Sequence, residues 1–146
     1  MIELNTHIPM DIEYVTLLGK AVYSFSYYEW TIIYIINHFN NDFVSRYCRE
    51  KFLTSGKVLE EFKKLIENNN DKKLLNCKDV FSELIDERNA LIHAHPCTSN
   101  NGKQILNYQS SKKIHDLLWD NNTIINFINK VDIAEIEAAK LLDSFR

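Results

Sequence analysis

The residues best equipped for chemistry stand in one run, Asp86-Glu87-Arg88-Asn89-Ala90-Leu91-Ile92-His93-Ala94-His95-Pro96-Cys97. An imidazole titrates near neutral pH and can take or give a proton, whereas a guanidinium keeps its charge and offers five N–H donors in a fixed fork. Arg88 and His93 therefore suit a reaction that builds negative charge, with the histidine moving the proton and the arginine holding the charge. His93, His95 and Cys97 also allow a zinc site, with His115 as a distant fourth ligand. That reading is the weaker, because structural zinc sites usually recruit paired Cys/His groups and Pro96 breaks this run.

The run closes a helix-forming segment that begins near Lys72. At about 100° per residue, Arg88 falls in the middle of an apolar face made by Phe81, Leu84, Ile85, Leu91 and Ile92. His93 lies on the flank with Asn89 and Asp86. His95 returns to the line of Arg88 if the helix extends that far. It either ends the helix ahead of Pro96, the reading favoured because proline disfavours helical geometry in the residue before it, or adds a second proton-transfer group. Glu29 is a matching oddity, set among Val22, Phe25, Ile32, Ile33 and Ile36. A lone buried charge is so costly that it is either paired or lines a cleft. Opposite charges on two core ridges predict a pair, Glu29–Arg88; the plain alternative is a structural salt bridge with His93 capping the helix.

The elements that must position these groups read as helices. The 146 residues are 45% hydrophobic and 25% charged, with three glycines and two prolines, which predicts one all-α domain over 1–146. A long helix starts at Pro9 or Asp11 and runs to Phe39. "DFVSRYCREKF" allows a short helix, and "SGKVLEEFKKLIENN" is a clearer one, with Val58, Leu59, Phe62, Leu65 and Ile66 on one side. After Pro96 the pattern stops, and Asn100-Asn101-Gly102 signals a short hairpin or an irregular loop. A last helix is capped by the segment Asp120–Asn122. Tyr27, Tyr28, Trp30 and Tyr34 read as packing or dimer-interface residues rather than platforms for bases, and Gly19 as a point of close helix approach.

A formal charge of −3 provides no global field for nucleic acid or an anionic membrane. Only residues 43–78 are locally basic, nine Lys/Arg against five acids, with Arg46, Arg49, Lys57, Lys63 and Lys64 as candidate RNA contacts. If those side chains face away from Arg88 and His93, they are an ordinary solvated face. Cys48, Cys77 and Cys97 form no disulfide pattern, "MIELNTHIPMD" lacks the pattern of a secretory leader, and the longest apolar run, "TIIYII", is too short to cross a bilayer. A cytoplasmic protein without membrane partners is expected.

Arg88-Asn89-Ala90-Leu91-Ile92-His93, an arginine followed after four residues by a histidine at a helix end, resembles the R-x4-6-H motif of the HEPN superfamily, and Asn89 matches a frequent form of it. The resemblance implies a four-to-five-helix up-and-down bundle and a metal-independent, cofactor-free endoribonuclease of the toxin or phage-defence kind. It further implies a homodimer with the site in a cleft between two copies, and an antitoxin protein as a possible partner. Arg88 would clamp the phosphate and His93 act as general base or acid. Asn89 would position the phosphate or His93, and Glu29 would orient Arg88. A family subgroup paired with nucleotidyltransferase antitoxins has a tyrosine two residues after the histidine. Here that position is His95, so regulation through that tyrosine does not carry over. The competing function is a non-catalytic HEPN-like module in which Arg88 and His93 form an anion site for a nucleotide, RNA or a protein.

Overall fold

Four carboxylate or hydroxyl caps mark where the helices begin. The computed structural model describes residues 11–49, 53–110 and 113–146, without the side chains of 110 and 113–116. Helix α1 (Ile12–Phe39) starts where the Asp11 carboxylate accepts from the amides of Glu13 and Tyr14, at 2.9 and 3.3 Å. Pro9, the other expected start, lies outside the described residues. A single π-turn (Val44–Cys48) follows, where a short helix was expected. Helix α2 (Ser55–Asn68) is capped by Thr54, α3 (Lys72–Ile92) by Asp71 and α4 (Asn121–Ser144) by Asp120.

The expectation of an all-α chain needs correction. Between α3 and α4 the chain forms an antiparallel three-stranded sheet, β1 (His95–Thr98), β2 (Gln104–Ser110) and β3 (Lys113–Trp119), in the order β1-β2-β3. The expected hairpin is its first half: Cys97 pairs with Ile105, and Gly102 takes φ 80° in the turn, which glycine adopts without steric cost. The third strand was not expected. Its reason is burial at one end: Trp119 is buried while Leu118 beside it is exposed, the alternation of a strand with one covered face.

The sheet also ends α3 earlier than proline alone requires. Pairing of His95 with Asn107 makes His95 the first residue of β1, so α3 stops at Ile92 and His93 is its C-cap, with φ −92° and ψ 7°. His95 therefore lies on β1 and is not the residue that ends the helix. One polar knot fastens the sheet to the helices. The buried Tyr14 hydroxyl donates to the Trp119 carbonyl at 2.6 Å and accepts from the Leu106 amide at 2.8 Å, and Trp119 Nε1 donates to the Ala90 carbonyl at 3.3 Å.

The core fills the space between the helices. Ala21, Phe25, Tyr28, Ile32 and Ile35 of α1 meet Val58 and Phe62 of α2, Leu74 and Phe81 of α3, and Phe127, Val131 and Ala138 of α4. Among the described residues no helix is long and apolar enough to cross a membrane.

Tyr14→Phe should lower stability by about 1–3 kcal/mol, because both partners of the hydroxyl are left buried and unpaired; urea unfolding measures it. Asp120→Ala should cost about 0.5–2 kcal/mol at neutral pH, as loss of a helix cap does. Hydrogen bonds from Thr123 hold the Asp120 carboxyl below the usual aspartate range. Its contribution is therefore complete above the unfolded-state value near 3.9 and vanishes as pH falls through the lower folded value. The wild type and Asp120→Ala should converge in stability below that range.

Candidate functional site

Arg88 sits where the helical projection put it, half-buried on the inner face of α3 one turn after Leu84 and Ile85. Its guanidinium carbon lies 4.8 Å from the centre of the Phe25 ring, a stacking distance for a cation over an aromatic face. The expected direct pair with Glu29 is absent. Instead Arg88 donates through one terminal NH2 to the Ser55 hydroxyl at 2.6 Å, and that hydroxyl donates onward to Glu29 Oε2. A hydroxyl has one proton and can accept from a neighbour, so Ser55 relays between the two charges. Arg88 Nε is buried with no partner among the described residues.

Ser55 is the residue that sequence reasoning missed. It is 6% exposed, at the first position of α2. Its signal was present: the buried stripe Val58, Phe62, Leu65 continues back by three residues to Ser55. A polar residue at that point of a core stripe has to be satisfied by another buried polar group, and two such groups, Glu29 and Arg88, lie on the facing helices.

The other sequence candidates are more scattered. His93 is exposed, and its backbone amide donates to the Asn89 carbonyl at 2.9 Å, so Asn89 meets His93 through the main chain. Residues five apart on a helix project about 140° apart, and no hydrogen bond joins the Arg88 and His93 side chains. His95 is exposed and Cys97 half-buried on β1. Among the described residues no group of three His, Cys, Asp or Glu side chains is close enough to hold a metal, so His93, His95 and Cys97 are not brought into one ligand set; the side chain of His115 lies outside the description.

The basic segment divides. Arg46 and Arg49 flank Cys48, whose thiol is pushed up by burial and then by the charge of Glu29, which places the π-turn beside the Glu29 end of the relay. Lys57 is two residues from Ser55. Lys63 and Lys64 lie eight or nine residues along α2, about 12 Å further by helical rise, and Lys64 is engaged with Glu61 at 3.0 Å. Arg46 rests over the Tyr47 ring at 5.0 Å. All five are exposed.

A groove of about 660 Å³ lies elsewhere, between α3 and α4. Tyr28 and Cys77 line it with Val80, Leu84, Ala134 and Leu141, and none of Arg88, Ser55, Glu29 or His93 does. Burial pushes the Cys77 thiol up to about 12 and the Tyr28 phenol above its ordinary value, so both are neutral there at physiological pH.

Comparison of the chain with protein-family models, curated proteins and solved structures gives no match. The site is therefore read from its own residues.

Ser55→Ala should lower stability by about 1–3 kcal/mol, since it strands a half-buried guanidinium. Adding Arg88→Met should recover part of that loss, because the stranded charge is then gone. Urea unfolding of both single variants and the double variant gives the coupling; strict additivity would mean that the relay contributes nothing.

Proposed function

We propose that the chain is a metal-independent endoribonuclease of the HEPN type, a toxin or phage-defence effector. The observation that supports this most is how Arg88 is held. A carboxylate paired face to face would neutralise it, but here its contacts are a hydroxyl and an aromatic ring, with Glu29 one hydrogen bond further away. That arrangement fixes the guanidinium fork and leaves donors for a phosphate. The exposed His93 stands five residues on, at the end of the same helix.

In this reading His93 takes the proton of a ribose 2′-OH, whose oxygen attacks the adjacent phosphorus. Arg88 stabilises the charge that gathers on the phosphorane oxygens. The 5′ oxygen leaves with a proton taken from water while the imidazolium of His93 returns its own to solvent, giving a 2′,3′-cyclic phosphate and a 5′-hydroxyl end. His93 and Arg88 act from different sides of α3, so the RNA is taken to lie across two copies of the chain. Arg46, Arg49 and Lys57 add phosphate contacts near Ser55, whereas Lys63 and Lys64 are assigned to the solvated face. The binding-module reading draws on the exposed and separate position of His93.

RNA cleavage by the wild type, Arg88→Ala, Arg88→Lys and His93→Ala, each in EDTA, tests the proposal. Cleavage should persist in EDTA and fall at least about 100-fold in each variant, the usual worth of a proton-transfer group or of a charge clamp in the transition state. RNA binding by the wild type without cleavage of any RNA would favour the anion-binding module.

A further inference from the structure

The groove between α3 and α4 takes no part in holding Arg88. Both helices border it over the same length, from Lys73 to Glu87 on α3 and from Lys130 to Ser144 on α4. Fourteen residue steps make it about 21 Å long. The Glu87–Lys130 ion pair, at 2.9 Å, bridges one end, and the start of α3 lies beside the end of α4 at the other. Ala134 and Ala138 line it from α4 with one methyl each, and the space that larger side chains would occupy is the groove itself.

A hydroxyl stands on the floor of this apolar channel. Tyr28 is 1% exposed, yet it lines the groove, and its hydroxyl has no hydrogen-bond partner among the described residues. The ring is held edge-on against Phe25 at 6.1 Å and Phe81 at 5.7 Å, so the phenol cannot turn to seek one. Cys77, another lining residue, acts on the phenol electrostatically, which puts the hydroxyl on the groove side of the ring. Buried polar groups are nearly always paired, and the Tyr14 hydroxyl follows the rule with both a donor and an acceptor in place. The partner of Tyr28 has to come from outside the chain. Water is a poor one, because an ordered water needs several polar neighbours and the floor offers one hydroxyl and one weakly polar thiol.

We propose that the groove binds a neutral, extended acyl compound, an amide or ester of a medium-chain acid, whose carbonyl oxygen accepts from the Tyr28 hydroxyl. A volume of about 660 Å³ lies within the range of pockets that enclose small molecules. The charged groups are confined to the rim, Lys73, Lys130 and Lys140 against Glu83, Glu87 and Glu137, and two of the three lysines are already engaged with those acids, at 2.9 and 3.4 Å. A carboxylate on the floor would lose its water and gain no cation, which excludes a free fatty acid. The hydroxyl excludes a docked helix: a helix uses its carbonyls on its own amides, so it would cover Tyr28 without offering an acceptor. From Tyr28 and Cys77 the tail has Val80, Leu84 and Ala134 to lie on, over the ten residue steps to Glu87, about 15 Å. The head leaves in the other direction past Asn76 and Ser144, both polar and uncharged.

This site is separate from Arg88, Ser55, Glu29 and His93, none of which lines it. It stands whether or not the chain cleaves RNA.

Isothermal titration calorimetry of the whole chain with N-methyldecanamide tests the proposal. The wild type should bind one equivalent with a dissociation constant of about 100 µM or tighter and a negative heat-capacity change, the mark of apolar burial. Sodium decanoate, which has the same tail and a charged head, should bind at least about tenfold more weakly. Tyr28→Phe should weaken the amide about tenfold, the contribution of one hydrogen bond. The thermal midpoint of that variant without ligand should stay level or rise, because no partner is stranded. Ala134→Leu should abolish binding by filling the groove. Absence of saturable binding by the wild type overturns the proposal, as does a Tyr28→Phe variant that binds the amide as tightly as the wild type, or decanoate that binds as tightly as the amide. If a second copy covers the groove, Ile133→Glu will split a wild-type dimer that the amide leaves intact; if a partner helix does, an amphipathic Leu/Lys helical peptide will bind where the amide does not. Either result also overturns it.

Discussion

One cation on the wrong side of a helix organises much of this fold. Arg88 projects from the apolar face of α3, where an unpaired charge would cost several kcal/mol even after relaxation. Its partners come from two other helices, the Phe25 ring and the Glu29 carboxylate from α1 and the Ser55 hydroxyl from α2. Three helices thus share one polar contact, and each must keep its register for that contact to exist. Packing alone tolerates small slips between helices, whereas a planar fork stacked on a ring and bonded to one hydroxyl does not.

The helices were legible in the sequence because their signals are local. Asp11, Asp71 and Asp120 each accept from amides two or three residues on, and the core stripes repeat at three and four residues. Arg88 and Glu29 stood out for the same reason, as charges on those stripes. What connects them did not, because serine is common at helix starts for reasons of its own and Ser55 stands at one. The sheet was harder still. Its strands are short and mix apolar with polar residues without a clean alternation, and pairing of His95 with Asn107 depends on residues twelve positions away. That pairing also moved the end of α3 back from His95 to Ile92, an outcome no local propensity encodes.

The position of His93 follows from that boundary. On one side α3 is held in the core by Leu84, Ile85 and Leu91; on the other, β1 is paired to β2, and Trp119 grips the Ala90 carbonyl. An exposed imidazole between two fixed elements has its backbone set while its ring can turn. That suits a group meeting a ligand from solution, where the main chain must not drift and the ring must adjust.

The knot that joins Tyr14 to Trp119 spans 105 residues, and Thr31 meets Glu135 across 104. On a ribosome adding about 5–20 residues per second, α1 emerges some seconds before α4 exists to cover its inner face. During that interval Ala21, Phe25, Tyr28 and Ile32 have no partner from α4, and the bare outer aromatics are exposed as well. Nascent α1 then bares its inner core stripe and its outer aromatics together, so the time between its synthesis and the arrival of α4 is when the chain is most open to aggregation.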